Sequence, residues 1–540
     1  MAFHCMNCNG SMVFDIATQK MRCLHCDSVC DPHDFVVQPT SQGIRTEVAG
    51  SWFDEENIDA SQGSGMATYT CSSCGATLES TEDSMIGFCP YCGGQSLVAS
   101  ASEGHQVERI IPFKISKDDC IERYKQYTRK VRYLPRELRD PEYIRKFTGI
   151  YMPFYEYDAQ YGSFCLKGTK TVEHTRRYDV ENFYDIYGDI EGSYERGVVF
   201  DGSRYLDDEI SARTLPYDTE QEEPFVPAYL AGFYADTSTV SPELYYVDAE
   251  SQAKEQMLDS LGESVRENTG ISVKSNSVID AKVTGHHSAL FPMWFLTWRK
   301  DDRVAYAVIN GESGKVVSDL PLNFKSFALG CAAISAVIFI LLELLVQPTP
   351  LVTSFVSLIA AICMALGIRS GAKKQYERQQ HVYDKGWKED GESSNTKKAP
   401  KKKVLSDGVR DSLVVALLVF AAIFVAILVG DFDSGAVTGA LRFVLPLITL
   451  GVAVYALAGV VAWKKHLAKN DPIMAAVVLL ITVILNVAIV IIKPVDDVWY
   501  YAGDVLCILG LIATSVGMIR AFNTSTTRPL PKLFDREEVE

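Results

Sequence analysis

A chain of 540 residues exceeds one ordinary domain of roughly 100–200 residues, so three or four units are expected. Its 52 Lys and Arg stand against 68 Asp and Glu, a formal net charge of −16 that argues against nucleic-acid binding by bulk electrostatics while leaving room for a local basic patch. The opening residues MAFHCMNCNG hold neither a basic n-region nor an apolar h-region, so no secretory signal peptide is visible.

Cysteine knuckles come first. Cys5-Met-Asn-Cys8 is followed by Cys23-Leu-His-Cys26, and Cys71-Ser-Ser-Cys74 by Cys89-Pro-Tyr-Cys92. Fourteen residues separate the pairs in each set, and a shift of 66 carries one set onto the other. Eight of the 14 cysteines thus form Cys-x-x-Cys pairs, which favours metal over disulfides. Such a turn points two thiolates at one ion, and two facing turns complete a tetrahedral site with bonds of about 2.3 Å. Gly75 and Gly93 follow their pairs where a tight knuckle needs positive φ, while the first set has Asn9 and then Gly10. The expectation is two zinc ribbons, residues 1–35 and 66–98, each with one structural Zn²⁺. Rubredoxin-like iron uses similar ligands; thioredoxin-like chemistry would want a single pair in a βαβ unit. His4, His25, Cys30 and His33 lie near the first set but outside a shell that four thiolates already close. Residues 66–98 contain no Lys or Arg, and the first ribbon offers Lys20 and Arg22 against four Asp. Phosphate binding depends on cations, so structural modules or protein-docking platforms are favoured over nucleic-acid readers. Residues 36–65, with few apolar positions and Trp52-Phe53, read as a linker.

Residues 105–325 read as an α+β domain with a curved antiparallel sheet. Ser116-Lys-Asp-Asp119 resembles a capping box opening a helix with Ile121, Tyr124, Tyr127 and Val131 on one face. The stretch 109–146 carries 12 Lys and Arg against six acids, a solvated face or a contact for anionic lipid or an acidic partner. Residues 148–171 read as paired strands, with further strand-like pieces at 225–237 and 291–310, the last closing on the turn signal Asn310-Gly311. From 179 to 267 there are 22 acidic and five basic residues. Gly311-Glu-Ser-Gly314-Lys315 lacks phosphate-loop spacing and reads as a turn. His286-His287 would point to opposite sides of a strand, without a carboxylate motif nearby. No nucleophile–base pair or dinucleotide fingerprint stands out, and no enzyme is expected.

The rest is apolar. Residues 326–346 and 349–368 form a transmembrane hairpin, since a span takes about 20 apolar residues. Further spans read at 412–430, 443–463, 473–492 and 499–519, giving an all-α region of six helices, four of them within 411–520. The loop 369–410 holds 12 Lys and Arg and reads as a basic cytoplasmic linker; the tail 521–540 lies on the same side. An even helix count then places both termini in the cytoplasm, where thiols stay reduced. Lys397, Lys398, Lys401, Lys402 and Lys403 are candidates for anionic inner-membrane lipid head groups. Glu343 and Asp504 sit near the outer ends of their spans, where snorkelling is cheap, and Asn486 lies within its span.

The two ribbons, IIPFKIS (110–116), GIYMPFYEYDA (149–159), YLAGFYAD (229–236) and the segment 291–321, followed by membrane helices, carry a resemblance. Over most of residues 1–325 the chain looks like bacterial membrane proteins with transcription-factor-IIB-type zinc ribbons, some labelled helicase- or primosome-related. Relatives occur beside SPFH-domain and phage-shock-type proteins, which implies a membrane-associated scaffold. The C-terminal half has more spans than that family implies, and no Walker A sequence supports a helicase.

The expectation is therefore a multidomain, multi-pass protein of the bacterial cell membrane. It is non-enzymatic, binds zinc, and presents a docking module to cytosolic or membrane proteins in envelope maintenance. Two other readings stand beside it: a transporter or channel regulated by its ribbons, and a membrane-tethered nucleic-acid binder.

Overall fold

The computed structural model describes residues 3–35, 66–71, 74–81, 89–92, 97–100, 107–174, 179–190, 193–345, 350–379, 384–386, 435–462, 470–492, 494–496 and 498–529. The predicted linker 36–65, the lysine run 397–403 and the predicted span 412–430 lie outside the described residues.

The first cysteine unit is a three-stranded sheet of β1 (Met12–Asp15), β2 (Lys20–Cys23) and β3 (Val29–Cys30). It is docked on the rest of the soluble half. The Phe14 amide donates to the Ala231 carbonyl at 3.1 Å, and Gln19 reaches the Phe113 carbonyl at 2.8 Å. Phe14 also meets the Tyr229 ring edge-on at 5.1 Å.

The second unit supplies β4 (Met66–Cys71), β5 (Thr77–Thr81) and β6 (Leu97–Ser100), which join the large sheet of the central domain. That sheet continues through β7 (Arg109–Ile110), β8 (Thr148–His174), β9 (Asp179–Asp189), β10 (Ser193–Asp201), β11 (Glu223–Pro224) and β12 (Tyr234–Asp236). It is completed by β13 (Ser272–Val273), β14 (Val278–Lys300), β15 (Arg303–Asn310) and β16 (Val316–Ser318). β5 pairs with β12, Glu79 opposite Ala235, and β12 lies parallel to β8. A second parallel pairing joins β7 to β14. The sheet is otherwise antiparallel, as expected for this part of the chain.

Its spine is β8 against β14, in register from Thr148 opposite Phe295 to Cys165 opposite Val278. The stretch 148–171, expected as paired strands, is instead most of one 27-residue strand. Its glycines are not turns. Gly162 faces the Asp280 side chain and Gly168 lies under Ile271, so they admit close neighbours in an unbroken strand. The far half of β8 pairs with β9, an edge strand whose Phe183 and Tyr187 are each 73% exposed.

Helices cover the sheet. α1 (Lys117–Lys130) starts at Ser116, whose hydroxyl accepts from the Asp119 amide at 3.2 Å. It buries Cys120, Tyr124 and Thr128, so only Tyr124 of the predicted stripe is fully buried. α2 (Pro141–Ile144) and α3 (Asp208–Thr214) are short; α4 (Tyr246–Thr269) packs along β8 and β14 and ends at Gly270, φ +73°.

Five apolar helices follow: α5 (Phe324–Leu345), α6 (Pro350–Gln379), α7 (Gly435–Ala462), α8 (Asp471–Ile492) and α9 (Val498–Thr526), before the short strand β17 (Arg528–Pro529). Four of them, α6 to α9, are long and apolar enough to cross a membrane among the described residues, not six. Among the described side chains, α5 offers the shorter apolar stretch Phe324–Ile338. α6 also runs on through Arg369–Gln379, so the expected linker begins as helix.

α6 to α9 pack through small residues. Ala361, Ala453, Ala456 and Ala476 are fully buried in the core they share. On α9, Gly503, Gly510 and Gly517 recur every seven residues against Asn486, Thr482 and Ala475 of α8. In lipid, close approach of backbones takes the place of hydrophobic driving force. A Cβ on Gly510 would stand 2.7 Å from both terminal atoms of Thr482, below any real contact. Gly510→Val is expected to cost about 1–3 kcal/mol by overpacking. A melt of the purified chain in detergent checks this; unchanged melting would mean that α8 and α9 do not pack here.

Candidate metal centres and the junction with the membrane helices

The two cysteine sets converge as two four-thiol clusters. Within each, the four sulfurs lie within 4.8 Å of one another. Cys5 faces Cys26 at 3.5 Å and Cys8 faces Cys23 at 3.4 Å; in the second cluster the equivalent pairs are Cys71–Cys92 at 3.6 Å and Cys74–Cys89 at 3.7 Å. These separations are far beyond a disulfide bond. They match the edge of a tetrahedron with metal–sulfur bonds of about 2.3 Å, which is about 3.8 Å. The sequence repeat is thus a repeat of geometry.

Local backbone explains the convergence. The Asn9 amide returns to the Cys5 carbonyl at 2.8 Å, and the Gly75 amide to the Cys71 carbonyl at 2.7 Å. Gly75 takes φ +79°, and in the first unit Asn9 itself takes φ +59°. Gly10 has a different task, since a Cβ there would press on His25 and the Cys8 sulfur. Asp27 closes the second knuckle of the first unit at φ +58°. Gly93 lies outside the described residues.

The thiols bear the marks of crowding. Hydrogen bonds from Ser28 hold the Cys26 thiol down at about 6. In the second cluster the neighbouring cysteines pull Cys71 below its ordinary value and push Cys74 and Cys89 above theirs. Four thiols so placed ionise together only around a cation, and a soft divalent ion such as Zn²⁺ suits an all-sulfur set.

The two clusters differ in depth. Cys8 and Cys26 are exposed, whereas Cys71, Cys74, Cys89 and Cys92 are all buried. The second cluster is part of the core with Met152, Phe154, Phe291 and Phe295. Tyr91, between two of its ligands, is 1% exposed; its carbonyl accepts from Tyr306 at 2.8 Å, and Thr297 bonds the neighbouring Pro90 carbonyl.

The flanking residues fall away from the first cluster. His33 bonds Glu223 and Tyr229, each at 3.3 Å, tying the ribbon to the central domain. His4 reaches the Asn9 carbonyl at 3.2 Å, and Cys30 lies against Met12. His286 and His287 do lie apart: His286 meets the Tyr246 hydroxyl at 3.1 Å, and His287 meets Glu108 at 3.2 Å and Asp158 at 3.0 Å. Those two carboxylates come from β8 and the approach to β7, and no local sequence pattern announces them.

Two other groups were not read from sequence. Behind the second cluster, Glu79 and Asp236 are both buried, and each is pushed up to about 7. Burial is the main cause for both; the charge of Asp236 adds to Glu79, while Ser203, Tyr91 and the Thr237 amide partly offset the shift at Asp236. The second group is an ion network at the membrane junction. Asp319, 6% exposed, receives Arg213 at 3.1 Å, Arg378 at 2.9 Å and Arg528 at 3.4 Å. Burial alone would raise its carboxyl, but Arg378 and Arg528 hold it below the usual range. Asp207 and Glu209 complete the network with Arg528 and Arg378. Near it, Asn523 at the end of α9 exchanges two 2.8 Å bonds with the Leu322 backbone.

No family profile and no solved structure matches the chain. An uncharacterized protein of Bacillus subtilis (strain 168), YdjG, is similar, with 24% identity over 256 residues that cover 46% of this chain and 74% of that protein. The likeness leaves family and function open. Geometry carries the functional reading: cysteine clusters able to hold zinc, beside four helices able to span a membrane.

Cys71→Ser is expected to lose its ion and cooperative melting of the soluble half, while Cys8→Ser loses one ion and keeps the core. Elemental analysis and thermal melts decide this; equal melts for the two would contradict the depth difference. The buried carboxyls set a pH dependence. Their folded values, about 7, exceed the unfolded values of about 4. The folded state therefore binds more protons between those limits, and this contribution is complete below about pH 4 and lost as pH rises through 7. Asp236→Asn should flatten the fall in melting temperature between pH 5 and 8; an unchanged slope would contradict the assignment.

Proposed function

We propose that the chain is a non-enzymatic, zinc-binding, multi-pass membrane protein whose soluble half docks partner proteins at the membrane, as a scaffold in envelope maintenance. One observation carries this: each cluster is closed by four thiols, and the second is sealed in the core. A catalytic zinc keeps an open position for water or substrate. A closed, buried S₄ site instead stabilises a fold, and the product of that stability is a surface.

The surface best suited to docking is the β8–β9 ribbon. Glu181, Phe183, Asp185, Tyr187 and Asp189 alternate on β9, and Phe183 and Tyr187 are open to solvent. The edge pairs only with β8 among the described residues. A Lys- or Arg-bearing extended segment satisfies the backbone edge, the rings and the acids together.

The pore reading gains less support. Three described hydroxyls buried in the bundle turn back on their own helices, Thr449 to Leu445, Thr482 to Val478 and Thr514 to Gly510, while Ser357 of α6 meets the Cys507 sulfur of α9 at 3.2 Å. Asn486 likewise donates to the Thr482 carbonyl, at 3.1 Å. These groups are bonded within their own helices, while the Asn486 side-chain oxygen and the Thr353 hydroxyl are buried without a hydrogen-bond partner among the described residues. The Glu343 side chain lies outside the described ones.

A photo-reactive residue in place of Phe183 in the full chain tests the reading in cells. A discrete protein adduct, lost when Asp185 and Asp189 become Lys, is the expected result. Adducts to nucleic acid alone, or none, would overturn it.

A further inference from the structure

A cavity of about 340 Å³ lies where the apolar helices meet the soluble half. Tyr127 and Val131 of α1, Arg213 of α3 and Leu322 line it from the soluble side, and Lys374 of α6 and Phe522 of α9 from the helix ends. The lining is part cationic and part apolar.

Its charges do not balance. The acids on its wall, Glu209 and Asp319, are engaged by Arg213, Arg378 and Arg528. Lys374 is exposed and has no carboxylate within ion-pair distance among the described residues. Arg213 keeps 42% of its side chain accessible despite its two acids. The site therefore offers a cation that the protein leaves unneutralised.

Its level along the helices is also specific. The uncharged run of α6 ends at Ile368, and Arg369, Lys373, Lys374 and Arg378 follow within three turns. The basic edge continues at the end of α1, where Arg129 and Lys130 are exposed, and in Arg132 just beyond it. Tyr133 anchors this basic edge to the start of α5, its ring 5.5 Å from that of Phe327. Part of the basic stretch 109–146 thus lies beside the start of α5, with its cations exposed.

We propose that this cavity binds the phosphate-bearing head group of an anionic phospholipid. Lys374 and Arg213 contact the phosphate, and Leu322 and Phe522 lie against the apolar region next to it. A charge-assisted contact at the end of a span suits a phosphate, and the cationic rim of α1 raises its local concentration.

The test uses the full chain in neutral detergent, melted with added phosphatidylglycerol, phosphatidylcholine or inorganic phosphate at equal concentration. Phosphatidylglycerol alone should raise the melting temperature saturably. Lys374→Glu should melt normally without lipid and weaken the response at least about tenfold, the size of one charge-assisted contact. Arg266→Glu, the same charge change on α4, should respond as the parent chain does. Native mass spectrometry should show retained anionic lipid on the parent and on Arg266→Glu, and less on Lys374→Glu. Equal responses to both lipids, or equal behaviour of the two variants, would overturn the proposal. A matching rise with inorganic phosphate would overturn its lipid assignment and leave a soluble phosphate site.

Discussion

Everything in the soluble half depends on four thiols that share one charge problem. Cys71, Cys74, Cys89 and Cys92 are buried among aromatic and aliphatic side chains, where isolated thiolates would be strongly disfavoured. A divalent ion resolves that by binding all four, and the free energy of binding becomes free energy of folding. β4 leads directly into this cluster, β5 starts just beyond its first knuckle, and β5 pairs with β12, which lies on β8. The cluster therefore staples the edge of the main sheet to its spine. The first cluster, with two ligands in solvent, fastens a small three-stranded unit that is docked by Phe14, Gln19 and His33.

The buried carboxyls fit this picture. A zinc ion held by four thiolates would leave the second site with net negative charge. Glu79 and Asp236 lie behind it, and burial already favours their neutral forms. A neutral Asp236 still serves Ser203 and the Thr237 amide as acceptor. Burial of these two acids in β5 and β12 therefore contributes less to stability as they ionise.

How much of this was legible in the sequence depends on range. The eight cysteine ligands could be read because each knuckle is a four-residue signal and its repeat is local. The Ser116 cap and the Asn310 turn were local too: Asn310 accepts from the amides of Glu312 and Ser313, each at 2.8 Å. The spans at α6 to α9 came from length and apolarity alone. What could not be read depends on distant partners. Glycine-containing β8 stays one strand because β14 and β9 occupy its two edges in turn. Tyr124 is buried and Tyr127 only partly so because the sheet sits on one side of α1. Asp319 gives no local sign of the three arginines that reach it from 213, 378 and 528.

The same long-range pairing determines how the two halves of the chain are joined. β17 follows α9 directly and pairs with β15, Arg528 opposite Val304. Arg303 reaches back to Thr524 and Thr527 at the end of α9. The Arg528 guanidinium lies over the Tyr306 ring at 5.5 Å, and the Tyr306 hydroxyl donates to the Tyr91 carbonyl inside the second cysteine cluster. One side chain, Tyr306, therefore separates the neighbour of a candidate metal ligand from Arg528, which follows the apolar helix α9. Buried ion pairs are costly to break once formed, because the partner left behind remains desolvated. The seat of α9 on Asp207 and Asp319 is accordingly costly to disrupt. Through Tyr306 and Arg528, the cysteine cluster that could hold a metal ion is thus tied to the end of α9.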